Sequence, residues 1–170
     1  QPSWRQGEGW HLSSEPSLSI GEVEGDSTRQ FQQIVGLVRL ADSSLAVADA
    51  GTNSIRFFDR AGQVLHTSGR SGEGPGEFRA LQALKRVGTD SLLVLDRRLE
   101  RLTILGPSGT VARIVRLPTR FVSVNPLAQG KWLAAEEEGF YGATLREDAS
   151  PGLYRFPATV TILDSTASSV

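Results

Sequence analysis

The side chains able to do chemistry are few, and their spacing limits what they can do. Histidine occurs twice, at His11 and His66, whereas a catalytic zinc site takes three protein ligands, commonly histidines. Cysteine is absent, which excludes disulfides, thiolate metal sites, a catalytic thiol and a lipid-bearing cysteine. No Gly-x-Ser-x-Gly elbow presents a nucleophilic serine. Asp49 and Asp96 lie 47 residues apart in similar surroundings. Such a pair could hold a cation such as Ca²⁺, or each could cap the tight turn after it through its side-chain oxygens. Repetition favours the cap. The run Gly72, Gly74, Pro75, Gly76 has the composition of a phosphate cradle, yet no Lys-Ser/Thr follows it and no helix start is near to supply a dipole. It reads better as a turn that needs unusual backbone angles. No catalytic residue, metal site or cofactor is expected, and the chain reads as a non-enzyme.

Charge and aromatic placement point instead to contact with other molecules. Arg97, Arg98 and Arg101 form a basic patch, and Glu136-Glu137-Glu138 an acidic run in what reads as a solvated loop. Both suit partner docking through steering and rim pairing, and the arginines could also meet anionic lipid head groups. Trp4, Trp10, Phe140, Tyr141, Tyr154 and Phe156 fall in irregular segments, as interface anchors do; end caps of the fold are the other reading. The net charge of −1 gives no footprint for nucleic acid. No apolar run approaches the ~20 residues of a membrane-spanning helix.

These groups must be positioned by an array, because the chain resembles itself at an offset of 47. Phe31–Thr67 superposes on Phe78–Ile114 without a gap: Phe31/Phe78, Leu37/Leu84, Arg39/Arg86, Val47/Val94, Asp49/Asp96, Gly62/Gly109. A period of this length marks a solenoid, propeller or array, whose units bury apolar faces only against their neighbours. In the first unit the pattern predicts strands at Ile34–Leu40, Leu45–Ala48, Ser54–Phe58 and Gln63–Thr67. In the second it predicts Leu81–Val87, Leu92–Leu95, Arg101–Leu105 and Val111–Leu117. Four short antiparallel strands per repeat make a propeller blade. A degraded third unit has strands at Phe121–Val124, Lys131–Ala135 and Thr159–Leu163, with an insertion over 136–157. The division is therefore an arm over 1–30 carrying an orphan outer strand at Leu12–Gly21, then units over 31–77, 78–118 and 119–170. The fold class expected is all-β, an incomplete β-propeller of about three four-stranded blades.

The stretch Val47-Ala48-Asp49-Ala50-Gly51-Thr52-Asn53-Ser54-Ile55-Arg56-Phe57-Phe58-Asp59-Arg60-Ala61-Gly62, with Gly69–Phe78 after it, resembles the NHL-like six-bladed β-propellers of bacteria. The likeness runs from about Trp10 to Pro118 and implies a chain about twice as long in a closed ring. Three blades would leave two apolar faces and a short sheet uncovered, and such surfaces need a partner. A start at Gln1-Pro2-Ser3-Trp4, without methionine, suggests removal of an export signal. Together these lead to the expectation of an extracytoplasmic, periplasmic scaffold docked on other subunits of a membrane-bound assembly. A bacterial photosynthetic reaction-centre or light-harvesting complex is one such host. The alternatives are the N-terminal half of a ligand-binding or hydrolytic propeller, and a homodimer closing one ring from two halves.

Overall fold

A computed structural model describes residues 13–137 and 158–168. The fold is all-β, three antiparallel sheets of four, four and three strands, with only two 3-10 turns, Ser27–Arg29 and Ala128–Gly130, as helix. The first sheet runs β1 (Ile34–Arg39), β2 (Leu45–Asp49), β3 (Ser54–Phe58), β4 (Val64–Ser68). The second repeats it as β5 (Leu81–Val87), β6 (Ser91–Asp96), β7 (Arg101–Leu105), β8 (Val111–Arg116). The third holds β9 (Ser123–Pro126), β10 (Trp132–Glu137) and β11 (Ala158–Leu163), with β10 in the middle. The 47-residue period extends to the pairing itself. Leu45 opposes Phe58 as Leu92 opposes Leu105, and the bulge at Phe57/Phe58 recurs at Ile104/Leu105.

Alternation of side chains across a strand lets one sheet feed two cores. On β6, Leu92 and Val94 pack with Ala46, Ala48, Ile55 and Phe57 of the first sheet. Their neighbours Leu93 and Leu95 pack with Phe121, Trp132, Ala134 and Leu163 on the side of the third. Strand β6 is therefore buried on both faces, which explains its continuous Leu92–Leu95 run. The first two sheets meet closely where β1 passes β5. A Cβ on Gly36 would stand 2.7 Å from Leu84 Cβ and 2.8 Å from its backbone nitrogen, so no larger residue fits.

Three sequence expectations are corrected. The orphan strand at Leu12–Gly21 does not form: residues 13–21 carry no strand. Ile20 still lies against the β3–β4 hairpin, 3.2 Å from where a Cβ of Gly62 would stand, just as Ser68 lies 2.7 Å from the corresponding position of Gly109. The segment lies where an outer strand would lie, without pairing as one. Next, β9 begins at Ser123, not Phe121. Phe121 is a buried plug ahead of the strand, as Phe78 is ahead of β5. Finally, Glu136 and Glu137 lie on β10, paired with Thr159 and Ala158 of β11, so the acidic run starts in a ladder and not in a loop.

The hairpin turn that closes the third strand is formed in all three sheets. Asp59 and Asp164 each accept backbone N–H groups of the turn through Oδ1, at 2.7–3.0 Å. Ala167 takes φ of 68° where the other turns have Gly62 and Gly109. In the first two sheets this turn leads to a fourth strand.

Gly36→Ala is expected to lower stability by about 1–3 kcal/mol, the usual cost of overfilling a packed contact. Urea unfolding followed by circular dichroism measures it.

Candidate functional site

The recurring aspartates are structural clamps. Asp49 is fully buried at the end of β2, and its carboxylate accepts the N–H of Gly51 at 3.0 Å in the turn that follows. The same group also accepts Gln32 and Gln33 N–H at 3.1 and 2.8 Å, fixing the entry to β1. Asp96 repeats this, accepting Arg98 and Leu99 N–H at 3.0 Å after β6, and Arg79 and Ala80 N–H at 2.7 and 3.3 Å before β5. Burial alone would raise the Asp49 pKa. The N–H donors of Gln33, Gln32 and Gly51 and the charge of Arg56 outweigh it, and hold the carboxyl below its ordinary 3.8. Among the described residues, no group of three or more His, Asp or Glu is placed to hold a metal ion.

Arginines hold the linkers from the other side. Arg56 on β3 is nearly buried, lies 3.5 Å from Asp49 Oδ2, donates to the Gln30 carbonyl and sits 4.8 Å above the Phe31 ring. Arg101 on β7 donates to the carbonyls of Glu73 and Gly74 at 2.9 Å and to that of Glu77. Gln30 and Glu77 are the same position one repeat apart, each preceding the anchoring phenylalanine. Arg101 was expected at a partner surface. It is 8% exposed and committed to the loop, because three carbonyls converge where its guanidinium can satisfy them all.

That geometry also decides the glycine-rich loop. It offers carbonyl oxygens to a cation, the reverse of the N–H array that binds phosphate. The carboxylate of Glu77 takes Gly74 N–H at 2.9 Å and Arg70 Nε at 2.8 Å. Those bonds, the Gly74 one first, hold its pKa below the usual glutamate value. Gly76 has φ of +75°, as the turn reading requires. Gly72 does not have positive φ; it is glycine for lack of room, since a Cβ would lie 2.2 Å from Glu77 Oε2. Pro75 is exposed at the tip.

Two surfaces among the described residues bear on binding. Arg98 is exposed and Arg97 half-buried, and they line a cleft with Ala80, Gln82 and Arg120. Arg120 was not anticipated, although its place just before Phe121 matches Gln30 and Glu77 and could have flagged it. The second surface is the far face of the third sheet. Leu133 opposes Ile162 and Ala135 opposes Val160, and Val160 and Ile162 are 60% and 43% exposed. His66 is exposed, stacked on Phe57 at 4.4 Å with Nε2 3.0 Å from the Ser108 carbonyl, so it joins the two β-hairpins. Trp4, Trp10, Phe140, Tyr141, Tyr154 and Phe156 lie outside the described residues, as does His11. None of the described residues belongs to a helix long and apolar enough to cross a membrane.

No family of proteins matches the sequence, and no curated protein is similar to it. Solved structures share the fold. One is a Bacteroides fragilis protein classed as exported, with a TM-score of 0.65 at 15% identity over 90% of this chain and 40% of its own. Another is a Bacteroides caccae protein of unknown function, at 0.54 and 17% identity over 82% of this chain and 47% of its own. A third, the computationally designed Ika4 protein, matches at 0.50 and 12% identity over 91% and 78%. The chain thus spans less than half the length of the two Bacteroides proteins.

Two outcomes are expected. Arg101→Ala leaves three carbonyls without their donor and should cost about 1–3 kcal/mol or more, whereas exposed Arg98→Ala should stay within about 0.5 kcal/mol; chemical denaturation compares them. The depressed Asp49 pKa means its contribution is complete above the unfolded value and is lost as pH falls through the lower folded one. The melting temperature should therefore drop between about pH 4 and pH 2. Asp49→Asn, already less stable at neutral pH, should lose less over that interval in a differential scanning series.

Proposed function

We propose that the chain is a three-blade segment of a six-bladed, NHL-like β-propeller that serves as a non-catalytic docking scaffold outside the cytoplasm. Its partner covers the far face of the third sheet in a larger, membrane-associated assembly. The observation that carries this reading is the pair of cross-strand contacts Leu133/Ile162 and Ala135/Val160, whose aliphatic groups stand in solvent at 60% for Val160 and 43% for Ile162. The opposite face of the same sheet fills a core with Trp132, Ala134 and Leu163. A sheet with two apolar faces is built to sit between two neighbours. The clamps described above support a non-catalytic reading, since among the described residues the buried carboxylates Asp49 and Asp96 and the buried Arg56 and Arg101 are engaged in holding loops. Likeness to a Bacteroides protein classed as exported supports the compartment.

A second reading has further sheets of a longer propeller cover this face, with any ligand site shared between the two parts. It is favoured by the 40% and 47% shares of the two Bacteroides structures that the chain spans. Both readings require that the face be covered.

The test is sedimentation velocity of the purified 170-residue chain at micromolar concentration. Self-association is expected, and it should be abolished in the double variant Val160→Glu/Ile162→Glu with the far-ultraviolet spectrum unchanged. A wild-type chain that sediments as a monodisperse monomer refutes the need for cover.

A further inference from the structure

We propose that the cleft between Arg98 and Arg120 is a binding site for a phosphate-type oxyanion, independent of the apolar face of the third sheet. The cleft encloses about 420 Å³, and its charged lining is entirely arginine, Arg97, Arg98 and Arg120, with Ala80 and Gln82 as floor. The cations come from two separate loops, the turn after β6 and the linker into β9, so the fold converges them where the sequence does not.

Three observations set this cleft apart from an ordinary solvated basic patch. The first concerns the repeat. Arg97 and Arg98 stand where the preceding unit has Ala50 and Gly51, although the loop backbone is held by the same aspartate clamp in both. The clamp forms in both units whichever side chains follow it, so the two arginines are additions to the shared loop. The second is preorganisation. Asp96 pins the N–H groups of Arg98 and Leu99 on one wall and of Arg79 and Ala80 beneath, and Arg97 N–H bonds the Ala80 carbonyl at 3.1 Å. The wall and floor are one rigid unit. The third is aim. Glu100 accepts Arg120 Nε at 2.9 Å, which biases the orientation of that exposed guanidinium and leaves its terminal nitrogens as further donors.

Guanidinium forks match the paired oxygens of phosphate better than ammonium groups do. Asp96 lies buried beneath the loop with four backbone N–H donors on its oxygens, and the three arginines still outnumber it and the Glu100 carboxylate paired with Arg120. Gln82, exposed at the entry to the cleft, adds an amide donor.

The chemistry has two sources, a soluble phosphate and the phosphodiester of a lipid headgroup, and the test separates them. The full chain is titrated with sodium phosphate by isothermal calorimetry, and in parallel sedimented with phosphatidylglycerol vesicles. Saturable phosphate binding is expected, weakened about tenfold by Arg98→Ala and by Arg120→Ala, the scale of one charge-assisted hydrogen bond. Arg60→Ala, on an exposed hairpin, should bind as wild type. Glu100→Gln should weaken binding less than either arginine loss, through misaligned Arg120. Vesicle binding that depends on Arg98 and Arg120 assigns the headgroup; phosphate binding without it assigns the soluble anion. Absence of saturable binding in both arms, or binding that survives both arginine substitutions in variants with unchanged melting temperature, overturns the proposal. Val160→Glu/Ile162→Glu should leave phosphate affinity unchanged, so the docking face and this cleft stand or fall separately.

Discussion

A strand with an apolar side chain on both of its faces can exist only between two neighbours, and the stacking of the three sheets follows from that constraint. In the middle sheet β6 meets it fully. Leu92 and Val94 face one core, Leu93 and Leu95 the other, and all four are fully buried. The first sheet meets it with help from the arm. Phe31 packs against Phe58 at 6.0 Å between ring centroids, Arg56 lies over Phe31, and Ile20 abuts the hairpin at Gly62. The third sheet meets it on one side. Its other side carries Val160 and Ile162 into solvent, although burying a side chain of that size is worth about 1.5–3 kcal/mol.

Stacking of this kind leaves the linkers as the weak points, since each must cross from the outer strand of one sheet to the inner strand of the next. The chain solves the crossing twice with the same parts. A phenylalanine stands ahead of the strand, half-buried at Phe31 and in the core at Phe78, a fully buried aspartate gathers the N–H groups on both sides of the crossing, and an arginine collects the carbonyl just before the phenylalanine. The two aspartate carboxylates and the terminal nitrogens of Arg56 and Arg101 are met by backbone groups, so a charge that would be costly in isolation becomes part of the frame. The arginine reaches that carbonyl from different positions in the two units. Arg56 is the third residue of β3, and Arg101 the first of β7. The requirement recurs although the residue position does not.

This explains what could be read from the sequence and what could not. Strand positions in the first two units were legible because alternation, turn residues and a gapless 47-residue repeat all agree there. The linker aspartates were legible as turn caps, because a side chain that bonds its own turn acts locally. Their second bonds, to Gln32 and Gln33 or to Arg79 and Ala80, span about 16 residues and leave no local mark. Arg101 was misread for the same reason. Three consecutive-looking arginines in sequence suggest one patch, but the strand beginning at Arg101 turns its side chain toward the loop 73–77 while Arg98 stays in the turn. The start of β9 was legible after all. Phe31 and Phe78 each precede their strand by three residues, and applying that interval to Phe121 would have put the start at Val124, one residue from the observed Ser123.

The cationic cleft adds a second layer, a feature laid on the scaffold and not made by it. The positions that differ between repeats, Ala50 against Arg97 and Gly51 against Arg98, are where a repeated frame can carry something of its own. The frame itself rests on mutual cover, and hydrogen–deuterium exchange measured strand by strand on the isolated chain tests that most directly. Protection should be greatest in β6 and β7, which are covered on both sides, and least in β11, whose outer face is bare. Equal protection of β11 and β6 would contradict the account, since it would mean that the third sheet holds together without a neighbour.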